Sequence, residues 1–170
     1  MEKFVPNKAL FRFQYLPDYA QFLLNNKLEE FVTVAIRFCR ELDLPLLRHL
    51  SKISEKELID LSLKSYREIL GALAQNNVEK IIENRIHNYV HNQIKDTKGN
   101  ILLDSTEVVA EDIILTAHIR RKLFSFFLYS YTQNTVLHML IATEVDQYTT
   151  QEHLLTTRAY VKTLMKISSD

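Results

Sequence analysis

The chain has 170 residues, enough for one domain with its own core. Its 21 basic residues balance 21 acidic ones, which leaves no electrostatic footprint for nucleic acid or an anionic membrane. No apolar run is long enough to cross a bilayer, and the N-terminus lacks the apolar stretch and small-residue cleavage site of a signal peptide.

Glycine and cysteine narrow the class further. Two glycines and three prolines leave no material for a glycine-rich phosphate loop or for hairpin turns. Few breakers among many Leu, Ile, Glu and Lys residues predict an all-α chain with short connections. Cys39 is the only cysteine, so no internal disulfide forms, which fits a reducing cytoplasm.

The first helical region is predicted from about Lys8 to Leu42. It is interrupted near Pro17, because proline fits only a helix's first turn, so a second helix starts at Leu16 or Pro17. Leu42 to Leu50 reads as a turn or one short helix around Pro45. Ser54 to Glu57 fits a capping box, with Ser54 as the cap and Glu57 reaching back. The helix it opens fades at Gln75-Asn76-Asn77. The next helix is predicted from Asn77 to Ile94, followed by a turn at residues 96–100 and a loop to Asp104-Ser105, which caps the helix after it. That helix, Glu107 to Tyr131, is apolar around most of its circumference and is expected to be the central, most buried one. After a break at residues 132–134, a last helix runs from Thr135 to Ile167, roughly 50 Å at 1.5 Å per residue. No repeat, low-complexity tract or second domain interrupts residues 1–170.

Two of the six histidines, His87 and His91, stand four residues apart, a spacing that stacks them on one helical face. On a wheel, Val78, Ile82, Ile86, Tyr89 and Val90 form the apolar arc, and both histidines fall roughly 130–170° from its centre. They share the polar side with Asn77, Lys80 and Asn84, so both are expected to face solvent. A haem ligand has to point inward, and a zinc site needs further ligands. The pair also lacks the glutamate that follows the first histidine of a zinc protease motif. No cofactor or metal is therefore expected, and a haem- or metal-binding sensor using His87 or His91 stands as the alternative.

Arg120 is the odd residue of the apolar helix. It projects with Val109, Ile113 and Phe127, so its stem packs while its head reaches solvent or a carboxylate, or meets a ligand or partner. Cys39, between Phe38 and Arg40, reads as a buried free thiol, with a redox or electrophile sensor as the alternative. The aromatic run at residues 124–131 reads as core, with an apolar ligand cavity as the alternative. No Ser/His/Asp set and no paired-carboxylate site emerges from spacing, so the segment is not expected to be an enzyme.

In the last helix Leu137, Ile141, Tyr148, Leu155 and Ala159 share one stripe. A second stripe runs from Leu154 through Val161 to Leu164 and Met165, like the seam of a coiled coil. Such a helix reads as an output helix, and the ending at residues 167–170 carries no clear helix stop, as in a piece of a longer protein.

Three segments together, LSKISEKELIDLSLKSYREILGALAQN, VVAEDIILTAHIRRKLFSFFLYSYT and ATEVDQY, carry a resemblance. The chain from about Leu44 onward resembles the N-terminal helical region of Bacteroidetes-type sensor histidine kinases, where it precedes PAS and kinase domains. More distantly it is similar to the N-terminal domains of RsbR-type stressosome proteins, which have a non-haem globin fold. The resemblance implies a single-domain, globin-like bundle of about six helices with a long C-terminal helix. It implies a non-catalytic, cytoplasmic input and dimerisation domain for two-component signalling, partnered by a second copy and by downstream domains of the same chain.

Overall fold

The first helix starts against a carboxylate from the far end of the chain. The computed structural model describes residues 12–91, 94–95, 98–103 and 108–167. Helix α1, Leu16–Asn26, has Pro17 in its first turn and no side-chain cap of its own. Instead the backbone N–H groups of Gln14, Tyr15 and Leu16 donate to the Glu144 carboxylate at 2.8, 2.9 and 2.7 Å. Those orphan donors would otherwise lack partners at a helix start. Residues 12–15 are accordingly not helical, a correction to the helix expected from Lys8; the part before residue 12 lies outside the described residues.

Asn25-Asn26, poor helix formers, end α1, and Lys27 separates it from α2, Leu28–Glu41. The single helix expected from Leu16 or Pro17 to Leu42 is thus two. Helix α3, Pro45–His49, and a 3-10 turn at Leu50–Lys52 fill the predicted short segment. Helix α4, Glu55–Ala74, opens on Ser54, whose hydroxyl accepts the Glu57 N–H at 3.2 Å. It closes on Asn76, held at φ 54, whose side chain accepts from the Phe13 N–H and donates to the Phe13 carbonyl.

Helix α5, Val78–Arg85, passes into a π-helical turn at Ile86–His91. The expected helix to Ile94 is thus cut short. Ile94–Lys95 (β1) instead pairs antiparallel with Ile101–Leu103 (β2), with Gly99 at φ 84 in the connection. Strands this short leave no alternation to read, so the ribbon was legible only as a turn cluster. Helix α6, Ala110–Tyr131, starts three residues later than the predicted Glu107; the expected Asp104-Ser105 cap lies outside the described residues. Helix α7, Thr135–Ile167, has the predicted bounds. The Asn134 side chain caps it, accepting from the N–H groups of Val136 and Leu137.

The described residues thus form an all-α domain of seven helices with one small ribbon. Helices α6 and α7 form an antiparallel hairpin: Tyr129 meets His138, Phe124 meets Tyr148 and Arg120 meets Glu152. Helix α4 packs on α1 and α2, α2 on α6, and α7 closes on α1 and α5. At the centre Phe31 lies 5.4 Å from both Phe124 and Phe127, ring centre to ring centre, and the buried Tyr19 hydroxyl donates to the Phe124 carbonyl at 2.6 Å. The aromatic run of α6 is core on this side, while Phe126 and Tyr129 are 52% and 72% exposed on the other. Helix α6 is central, as expected, with one side left exposed.

Candidate functional site

Below the aromatic core lies a cluster of buried charge. Arg85 closes α5 on the same side as Val78, Ile82 and Tyr89, and Arg120 sits mid-way along α6 on its inward face. Glu152 lies on the inward stripe of α7, one turn after Tyr148. The Arg85 and Arg120 side chains are 8% and 10% exposed, that of Glu152 1%. Both arginines donate from Nη1 to one oxygen, Oε1 of Glu152, Arg85 at 2.8 Å. Arg120 Nη1 also reaches the Tyr148 hydroxyl at 3.2 Å.

The charges hold one another. Burial pushes the Glu152 carboxyl up, but Arg120 and Arg85 outweigh it and bring its pKa down to about 2. Burial disfavours the Arg120 cation, and the Glu152 charge beside it more than restores it. Burial drives the Tyr148 phenol far up, so it stays neutral and accepts from Arg120.

The satisfaction is incomplete. Among the described residues, Nε and Nη2 of Arg85, Nε of Arg120 and Oε2 of Glu152 are buried without a hydrogen-bond partner. The Arg85 guanidinium carbon sits 5.4 Å from the centre of the Tyr89 ring. Asp112, fully buried in the first turn of α6, is half served: its Oδ1 accepts the Leu46 N–H at 2.7 Å, and its Oδ2 has no partner among the described residues. Burial raises its pKa, and the backbone hydrogen bonds from Leu46 and Val109, then His49, work against that rise.

Beside the cluster is a cavity of about 210 Å³. Leu46, Ile69, Ala72 and Ile81 give it apolar walls, and Arg85 and Arg120 line it as well. Asn84, Asn88 and Tyr89 add polar atoms, and the exposed Lys80 and Glu68 stand at its edge. Helices α4, α5 and α6 and the π-helical turn all contribute, so the cavity shares α5 and α6 with the charge cluster, while α7 reaches it only through Glu152, which holds the two lining arginines.

The sequence-derived residues fall as follows. Arg120 is buried, with its head on a carboxylate, as its helical position predicts. His87 is exposed on the outside of the π-helical turn, with Tyr89 and Val90 buried beneath. The side chain of His91 lies outside the described residues. Among the described residues no group of three or more His, Cys, Asp or Glu side chains is placed to hold a metal. His138 is buried, its Nε2 donating to the Thr132 carbonyl at 2.5 Å. Cys39 is half-buried, and burial pushes its thiol up to about 11, away from a reactive thiolate. Arg85 and Glu152 escaped the sequence reading. Their signal was positional: each stands at the centre of an apolar stripe, where a charge needs a partner.

The outer face of α7 completes the picture. Val136, Leu140, Thr143, Gln147, Thr150, Leu154, Thr157 and Val161 follow one another in steps of four and three. None is charged, and all but Thr157 are exposed, Leu154 by 45% and Val161 by 46%. This is the spacing of a coiled-coil seam, and it extends the stripe expected near the C-terminus back to the start of the helix. Helix α7 therefore turns its apolar stripe and Glu152 toward the domain and an uncharged repeat along its opposite face.

No protein-family model, curated protein or solved structure matches the chain.

Proposed function

We propose that this chain is a non-catalytic input and dimerisation domain of a cytoplasmic bacterial signalling protein, with the cavity as its receiving site and α7 as its output helix. The observation that carries the reading is the two-sidedness of α7. Its inner face holds Glu152, which ties together the two arginines of the cavity wall. Its outer face carries an exposed, uncharged four-three repeat from Val136 to Val161, roughly 37 Å long. One rigid helix thus joins a site for a small molecule to a surface for a second helix.

The occupant of the outer face is a second copy of this chain. A four-three repeat fits a partner of the same period, and a two-fold pair lets each residue meet its own counterpart. A parallel pair sends both C-terminal ends the same way, as downstream PAS and kinase domains of a two-component protein require. The apolar α6 and long α7 support the globin-like outline, and the exposed His87 supports its being haem-free. The resemblance of the chain from about Leu44 onward to histidine-kinase input regions supports the same class.

Sedimentation equilibrium tests the reading. The 170-residue chain should associate to a dimer, and Leu154→Glu or Val161→Glu should weaken that association at least tenfold while leaving the helical signal unchanged. A strict monomer at high concentration removes the dimer from the account.

A further inference from the structure

The buried cluster has a surplus of one positive charge: two guanidinium groups face one carboxylate. Asp112, the other buried carboxylate nearby, accepts the Leu46 N–H on Oδ1 and forms no ion pair with either arginine among the described residues, its Oδ2 being left without a partner. Lys80 and Glu68 at the cavity's edge offset each other and are exposed. A buried cation without its counter-charge is costly, and so is a buried N–H without an acceptor.

The unmet donors have a shape. Nε and Nη2 of Arg85 are both without partners. They lie along one edge of the planar guanidinium and project two parallel N–H groups, the fork that takes both oxygens of a carboxylate. Tyr89, whose ring lies 5.4 Å from the same guanidinium, sets its hydroxyl beside Thr116 of α6. Arg85 and Tyr89 both line the cavity, whose other walls include Leu46, Ile69, Ala72 and Ile81.

We infer that the cavity takes a small organic monocarboxylate with a compact apolar body, its carboxylate seated on the Nε/Nη2 edge of Arg85. One negative charge cancels the surplus; a dianion overshoots it. The apolar walls reward a hydrocarbon body and give nothing to a wholly polar anion. At about 210 Å³ the space suits a small ring or a short chain. The unmet Arg85 donors are themselves buried, so binding has to turn this side chain toward the cavity it lines. That movement draws Arg85 away from Glu152 and loosens the tie between α5 and α7. The ligand then favours one arrangement of α7 by its differential affinity for the two. The inference rests on reading the cavity as the input site.

Calorimetric titration of the whole chain tests it, with benzoate and hexanoate as probes. Benzamide and hexanamide serve as uncharged counterparts, and inorganic phosphate as an anion without an apolar body. Both carboxylates should bind saturably and at least tenfold more tightly than the amides or phosphate. Arg85→Met should weaken the carboxylates at least tenfold. Ala72→Met leaves every charge in place and fills the apolar wall from α4; it should abolish binding even if Arg85→Met fails to fold. Equal binding of amide and carboxylate, equal binding of phosphate, no saturable binding of either carboxylate, or full binding by Ala72→Met overturns the inference. Repeating the sedimentation measurement with benzoate separates the two readings. Binding that leaves α7 association unchanged upholds the ligand site and overturns the input function. Absent binding with intact α7 association overturns the ligand class alone.

Discussion

Arg120 of α6 and Glu152 of α7 form an ion pair inside the protein, with side chains 10% and 1% exposed. Removing both from water carries a penalty of several kcal/mol per ion, which their attraction repays only with further hydrogen bonds. Arg85 and Tyr148 supply those. The pair is therefore a device for fixing α7 against α5 and α6 rather than a large net source of stability.

Removing one member should show this. Glu152→Ala leaves two arginines facing each other in the interior and should cost about 3–5 kcal/mol in urea unfolding. Replacing all three charges with apolar residues of similar size should recover most of that loss. If Glu152→Ala costs no more than an ordinary surface substitution, about 0.5 kcal/mol, the cluster is not the lock described here.

The acid limb of stability follows from the same carboxylate. Its pKa is about 2 in the folded protein, against an ordinary value of 4.5. A lowered folded pKa gives stability that is present above the unfolded value and lost as pH falls through the folded one. Between about pH 5 and pH 2 the protein should therefore lose on the order of 3 kcal/mol from this group. Asp112 works the other way: burial raises its pKa, so its protonation favours the fold as pH drops. Melting temperatures of wild type and Glu152→Gln across this range should converge toward the acid end; parallel curves would contradict the assignment.

Glu144 caps α1 from α7, accepting three consecutive backbone N–H groups. Glu144→Ala leaves those donors to water and should cost about 1–2 kcal/mol. Amide exchange should quicken first at residues 14–16. Faster exchange confined to the middle of α7 would assign Glu144 a different role.

Much of this fold was legible because its signals are local. Ser54 marks the start of α4, residues 132–134 separate α6 from α7, and the wheel turns His87 outward and Arg120 inward. Where the sequence reading failed, the determinant lies far away or in too few residues. Glu144 is 128 residues from the Leu16 N–H it accepts, and no local pattern links them. The ribbon of β1 and β2 rests on five residues. The break at Lys27 falls inside a run that is apolar on one face throughout. The site lies between these cases. Arg120 stood out because its helix is otherwise so apolar, whereas Arg85 and Glu152 sit among other polar residues, where only their place on the wheel marks them.

Leu154 is exposed in the middle of the α7 seam. Its replacement by glutamate places like charges face to face in a parallel pair, so association should fall at least tenfold. The monomer's unfolding free energy should move by less than about 0.5 kcal/mol, as for a surface site. A variant that loses its helical signal instead would show the residue to be structural.

The pairing of two α7 helices is tested most directly by cysteine crosslinking. In a Cys39→Ala background, Thr150→Cys places a thiol on the seam, and Lys162→Cys places one well to its side. Under mild oxidation Thr150→Cys should form a covalent dimer readily and Lys162→Cys should remain a monomer. Equal crosslinking of the two, or none at Thr150→Cys, contradicts the pairing of two copies along this face.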